Sequence, residues 1–506
     1  VSATLLRNAR VAGGPPRDLL VVDGRIRSLG VAKHDLLDRD GSPLRDLDIV
    51  DLEGRHVGPG LWDAHTHIGQ WALRSSRVDV SAATSAAETA ALVRAHAAEH
   101  PPVAGTVLVG QGFRDGLWTD RPTAELLELG DVPVALVSGD VHTVWSNAAA
   151  LRMMGLPETD WFLREQPAFD LNVRLSVVPE EQLDALLVEA AERAAERGVV
   201  GIGDFEFDDA AGAWSRRFAA GFRGLRVRAM VYPPHLDAAA AAGIQTGRTV
   251  EGSDGLLVGG SLKLFTDGSL NTRTAWCDDP YPGLTGDDAA GIPSYTAEDL
   301  LELAGAGYRR GIVPTIHAIG DRATALALDT FAALAIPPAG PGRPNPDRGS
   351  IQHAQLVREA DIPRFAELGV RASVQPEHAM DDRDVTDHYW AGRTARAYAF
   401  RSLLEAGAEL EFGSDAPVAP LDPWITMAAA VTRSRDGREP WHPEQAVPVA
   451  DALRASQGGV AALAEGGPAD LVVTDADPLT AADLRTMPVH ATMLAGRWTF
   501  APALGG

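Results

Sequence analysis

Six side chains in this sequence have the types and surroundings of metal ligands. The segment LWDAHTH ends in His65 and His67. On extended backbone, residues two apart share a face, so both imidazoles can reach one cation. A hydrogen-bonded pair would explain two such histidines equally well, so the weight comes from four residues further along the chain. Lys263 lies in SLKLFTDG among apolar neighbours, where an ammonium is costly unless its charge is paired or removed. One reading pairs it with Asp267. The other has carbon dioxide convert it to an anionic carbamate that bridges two cations. His317 in TIHAIGD, His353 in SIQHAQL and Asp415 in FGSDAPV close three later apolar runs. A carboxylate such as Asp415 can ligate a metal and shuttle a proton, or else cap a helix.

Together these residues form two cation sites. His65, His67 and Asp415 hold one ion, His317 and His353 the other, and carboxylated Lys263 bridges them. Imidazole and carboxylate donors without thiolate suit zinc, with manganese, iron or cobalt as alternatives. Lysine itself is rare: only Lys33 and Lys263 occur among 45 basic residues. A guanidinium cannot carry a carbamate, so position 263 is one where arginine would not serve.

Such a set works only if distant segments converge, and the hydrophobic pattern supplies a scaffold for that. Short apolar runs alternate with alanine- and leucine-rich helical stretches, the pattern of βα units around a parallel sheet. Eight runs qualify: 57–67, 199–207, 227–232, 260–267, 312–320, 349–355, 371–378 and 410–415. They predict an α/β fold, a distorted TIM (β/α)8 barrel with its chemistry at the C-terminal strand ends. Two further strand-like runs, 106–110 and 134–139, are assigned to an insertion or cap over 69–195 between the first and second barrel strands. The competing doubly wound sheet lacks a glycine-rich dinucleotide fingerprint. Both chain ends are β-rich, with an Asp23-Gly24 turn early and DLVVT at 470–474 late. They predict one composite β-sandwich from residues 1–56 and 466–506, with the barrel over 57–465.

The charge balance narrows the partners. With 69 acidic against 45 basic side chains and a net charge of −24, the chain is a poor match for nucleic acid or anionic membrane. Neutral or cationic small molecules suit it better. A single cysteine, Cys277, allows no intramolecular disulfide and no thiolate cluster. The first residues lack signal-peptide character and no run approaches the ~20 apolar residues of a span, so the expectation is a cytoplasmic protein. A homodimer is the commonest assembly for such enzymes.

In this order, WDAHTH, SGDVHTVWSNAAAL, KLFTDGSLNTRTAW, HAIGDRA, QHAQLVREADIPRFAELGV, VQPEH, GSDAPVAPLDP and ADLVVTDADP resemble the amidohydrolase superfamily. Within it the resemblance is to the family 3 branch that includes N-substituted formamide deformylase-like enzymes, and it covers almost the whole chain. It implies a distorted barrel with a composite terminal sandwich. Strand-end chemistry and resemblance together predict hydrolysis of an amide, formamide or cyclic amide C–N bond, not a peptide bond, by metal-activated hydroxide. Asp415 then serves as general base and acid. His142 in the insertion and His378 in VQPEH are candidates for polarising the carbonyl or holding substrate. Arg273 and Asp321 are candidates for supporting or substrate-binding groups, and Asn271 for a substrate-facing loop. Trp71, Trp118, Trp145, Trp276, Trp390 and Trp424 fall near strand ends or in the insertion, and are expected to shape an aromatic pocket or fill the core. A metal-dependent isomerase or decarboxylase on the same scaffold and a non-catalytic ligand-binding homologue are the alternatives.

Overall fold

Eight strands pair in parallel, each with the next, to build the barrel: Leu61–Thr66, Val199–Asp204, Arg226–Val231, Leu257–Phe265, Pro314–Ala318, Ser350–His353, Arg371–Val374 and Leu410–Phe412. The computed structural model describes residues 3–37, 42–44, 46–74, 77–103, 105–334 and 348–502. A parallel bridge between Thr66 and Ala416 closes the last strand onto the first. The strands read as continuous apolar runs because helices cover their outer face while side chains fill the interior. Val199–Asp204 is buried at every position. Closure also needs a residue without a side chain at Gly413, where a Cβ would lie 2.6 Å from the backbone nitrogen of His65.

The run 57–67 is not one strand. His56–Pro59 pairs with Leu471–Thr474 and with Arg10 and Val11, outside the barrel, and the barrel strand starts only at Leu61. The break falls at Gly60, where a Cβ would sit 2.4 Å from Val200 Cγ1. Only glycine lets the chain turn there without displacing the second barrel strand.

Both chain ends contribute to one further sheet. Ala3–Val11 pairs with Arg17–Val22 and Leu47–Asp51 along its first half and with His56–Pro59 along its second. Leu471–Thr474, Val489–Leu494 and Arg497–Phe500 extend the sheet from His56–Pro59. Leu6, Leu19, Val57, Leu471, Val473 and Met493 form one core on it, and Leu5, Leu20 and Val22, alternating along the strands, belong to a second. Asp470 ties the sheet to the barrel through Arg226 at 2.5 Å.

Between the first two barrel strands lies a separate five-stranded sheet of Val78–Asp79, Leu108–Phe113, Val134–Ser138, Thr143–Ser146 and Phe162–Arg164. Its own core includes Val80, Phe113, Leu136 and Trp145. The helix Glu180–Ala195, nearer the second barrel strand, packs instead into the barrel core, through Leu187, Ala190 and Ala194. No helix among the described residues is long and apolar enough to cross a membrane.

Candidate metal centre

His65 lies in the first barrel strand and His67 one residue beyond it. Their Nε2 atoms are each 3.5 Å from the same oxygen, Oδ1 of Asp415. Asp415 follows the eighth strand in left-handed backbone, φ 57°, and its N–H donates to the His65 carbonyl at 2.7 Å. The His65 ring is held on two sides. It stacks on Phe205 at 3.7 Å, and its Nδ1 lies 2.7 Å from Oε1 of Gln352. The Gln352 amide is oriented in turn by donating to Thr315 and Ser350 hydroxyls at 2.8 and 3.0 Å. An acceptor at Nδ1 puts the imidazole proton there and leaves Nε2 with its lone pair toward Asp415.

Asp415 also belongs to a second group. His353, His378 and Asp415 offer ligand atoms that all lie within 4.8 Å of one another, as do those of His65, His67 and Asp415. His317 packs against His353 with ring centres 4.5 Å apart. Its Nε2, however, is 3.1 Å from the Gly268 carbonyl, which leaves Nδ1 as its unengaged nitrogen. Lys263 lines the same cavity, buried, with Nζ 4.9 Å from the rings of both Phe205 and Phe265. Among the described residues it makes no ion pair. Asp267, its suggested partner, instead accepts from the backbone N–H groups of Trp276, Ile319 and Gly320 at 2.8, 3.0 and 2.8 Å.

These donors fit a divalent cation. His67 Nδ1, His353 Nδ1 and His378 Nε2 are buried without a hydrogen-bond partner, which is unfavourable in a folded interior unless something else takes the lone pair. Burial keeps the imidazoles neutral, as ligation requires. It holds His65, His317 and His353 well below the usual histidine range and pulls His67 down to about 4. Burial likewise pulls Lys263 down to about 7, where a neutral amine is available. It pushes Asp415 upward, but His65, His67 and His378 outweigh it and hold the carboxyl well below its usual range.

The cap completes the cavity. Arg114, Asp140, His142 and Phe169 come from the insertion and line it beside the barrel residues. His142 faces His317 with ring centres 6.0 Å apart, and its Nδ1 is 2.8 Å from Oε2 of Glu165. Glu165 also accepts from Thr272 and Thr274 of the barrel at 2.7 and 2.6 Å, so it latches cap to barrel. Burial opposes a charge on His142, yet Glu165 outweighs it and raises the imidazole to about 9. Glu165 itself, raised by burial but lowered more by His142, stands at about 2. Neither Glu165 nor Gln352 stood out in the sequence. Gln352 acts on a ring 287 positions away and Glu165 on a histidine of the neighbouring cap strand, and the sequence signals neither pairing.

Of the two places expected for the tryptophans, pocket and core, the structure gives the core. None of the six tryptophans lines this cavity; Phe169, Phe207 and Phe265 do. Trp145, Trp390 and Trp424 are fully buried core. Asp321 is tied to Arg396 at 3.3 Å and does not line the cavity, and neither does Arg273, which lies against Tyr389 at 5.7 Å. Asn271 does line it and donates to Asp382 at 3.1 Å.

A parallel barrel with a histidine and carboxylate cluster at its strand ends, under a cap, defines a metal-dependent hydrolase. The sequence model of the amidohydrolase family matches residues 48–500, and the chain belongs to that family. It is 27% identical over 524 residues to the putative amidohydrolase YtcJ of Bacillus subtilis (strain 168), covering 94% of each chain. It is 25% identical over 525 residues to N-substituted formamide deformylase of Arthrobacter pascens, again covering 94% of each. Among solved structures, an uncharacterized metal-dependent hydrolase from Pyrococcus horikoshii OT3 superposes with a TM-score of 0.77 at 26% identity, over 96% of this chain and 100% of that one.

Proposed function

We propose that this protein hydrolyses the C–N bond of an amide, formamide or cyclic amide, with zinc as its ion. The observation that carries the reading is the convergence of His65 and His67 on one carboxylate, Asp415, and the likeness to a formamide deformylase supports the bond type. A divalent ion held there supplies Lewis acidity, lowering the pKa of water and polarising a carbonyl.

The chain's own groups do the rest. His65, His67 and Asp415 would hold one ion, and His317 and His353 would hold a second. Lys263, as a neutral amine, can add to carbon dioxide with loss of a proton, and the anionic carbamate would then offer ligand oxygens to the cations. Asp415, ionised across the working range, takes the proton of the attacking water and returns it to the departing nitrogen. His142, kept protonated by Glu165, donates toward the carbonyl oxygen as negative charge develops there. His378 holds the substrate against the cluster.

The test is amine release from a panel of N-formyl and N-acetyl amines by protein loaded with zinc, beside chelator-treated protein. Hydrolysis that is lost with the metal and restored with it supports the reading. Stoichiometric metal with no hydrolysis across the panel overturns it in favour of an isomerase, a decarboxylase or a non-catalytic ligand-binding homologue.

A further inference from the structure

The metal cavity abuts a second one. The two share Phe169, Phe207, Lys263 and Phe265 as a common wall, and the second opens toward Tyr232, Tyr295, Asp170 and Asp208. Three phenylalanines of that wall each touch a histidine of the first cavity. Phe207 stacks on His67 at 5.3 Å, Phe265 meets His317 at 5.2 Å, and Phe169 meets His142 at 4.8 Å.

The rings also form a closed cycle among themselves. Phe169 contacts Phe207 at 5.6 Å, Phe207 contacts Tyr232 at 5.3 Å, Tyr232 contacts Phe265 at 6.4 Å, and Phe265 returns to Phe169 at 6.3 Å. A substituent that reaches from the metal cavity into the second one runs along an aromatic surface.

Acids outnumber bases in the lining of this second cavity. Its acids are Glu165, Asp170, Asp208 and Asp267, and among the described residues Lys263 is the sole base lining it. Glu165 is neutralised by His142, and Asp267 is spent on backbone N–H groups. Asp170 accepts only from the neutral Gln166 amide, and Asp208 has no side-chain partner among the described residues. Both are exposed at the rim. Aromatic faces and uncompensated carboxylates attract the same ligand chemistry, an organic cation. A net charge of −24 favours the same sign from a distance.

We propose that this second cavity binds one arm of the substrate, and that the arm is apolar next to the scissile bond and carries an ammonium group at its far end. The assignment rests on the scissile bond sitting at the metal cluster, as in the proposed function.

Binding can be tested without turnover. Benzyltrimethylammonium, benzyl alcohol and benzoate are titrated calorimetrically into the metal-loaded protein and into its Asp170→Asn/Asp208→Asn double variant. The ammonium is expected to bind tightest and benzoate weakest. The variant is expected to lose about fivefold of the ammonium affinity, with benzyl alcohol changing by less than about twofold. Equal affinity for the three probes, or an ammonium affinity unchanged in the variant, overturns the proposal. Because no bond is cleaved, ammonium binding lost in the variant, in a protein that hydrolyses no amide, would sink the hydrolase reading and keep the cationic site. Amide hydrolysis without ammonium preference would do the reverse.

Discussion

Oε2 of Glu165 lies 2.8 Å from Nδ1 of His142, and the same carboxylate accepts from Thr272 and Thr274 on the barrel. One side chain thus fixes the charge of the cap histidine and the seat of the cap. Glu165 occupies left-handed backbone at φ 54°, a conformation that costs a non-glycine residue of order 1 kcal/mol or more and persists where surroundings over-determine it.

Glu165→Gln is expected to uncouple the two roles. His142 is raised to about 9 in the folded protein against an ordinary 6.5. The folded state therefore binds the extra proton between those values, and its contribution to stability is complete below 6.5 and lost as pH rises through 9. Glu165, lowered to about 2 from 4.5, contributes above 4.5 and is lost as pH falls through 2. Melting temperature should decline between pH 7 and 9 in the parent protein and stay flatter in the variant, with the alkaline limb of kcat/KM moved to lower pH. Identical profiles for the two proteins would remove Glu165 from this role.

Asp415→Asn keeps the size of the side chain and the N–H bond to His65 but removes the proton acceptor. Amide turnover should fall by roughly 10²–10⁴-fold with the protein still folded. Full turnover in the metal-loaded variant would show that another group is the base.

Lys263→Arg preserves a cation but cannot form a carbamate. Metal content by emission spectroscopy should fall by about one equivalent per chain relative to the parent. The same measurement on Lys263→Ala with and without added acetate tests whether an external carboxylate restores the bridge. Undiminished metal content in both variants would remove Lys263 from the bridging position.

Gln352→Leu deletes the acceptor that orients His65 at 2.7 Å. Loss of such a partner behind a ligand weakens metal affinity by about 10–100-fold, which competition with a chromogenic chelator would read. An affinity within twofold of the parent would mean that stacking on Phe205 alone positions the ring.

The chemistry of the strand ends was legible because it rests on local rules. Extended backbone puts His65 and His67 on one face whatever surrounds them, and apolar runs buried on both sides identify the barrel strands without knowledge of their order. The rest depends on contacts between segments far apart in the chain. Which nitrogen of His317 stays free is decided by the Gly268 carbonyl. His378 joins His353 and Asp415 because consecutive pairing of the sixth, seventh and eighth strands brings their ends together. Phenylalanines rather than tryptophans line the cavity because the tryptophans are used to fill the cap and barrel cores. The break at Gly60 is set by the position of Val200 on a neighbouring strand. The sequence by itself determined the ligand types and the scaffold, since these arise from backbone geometry and burial within single segments. Tertiary structure alone decided the Glu165–His142 pair, which strand pairing inside the cap sheet brings together, and the Gln352–His65 bond and the second cavity, which depend on the long-range packing that closes the barrel and seats the cap on it.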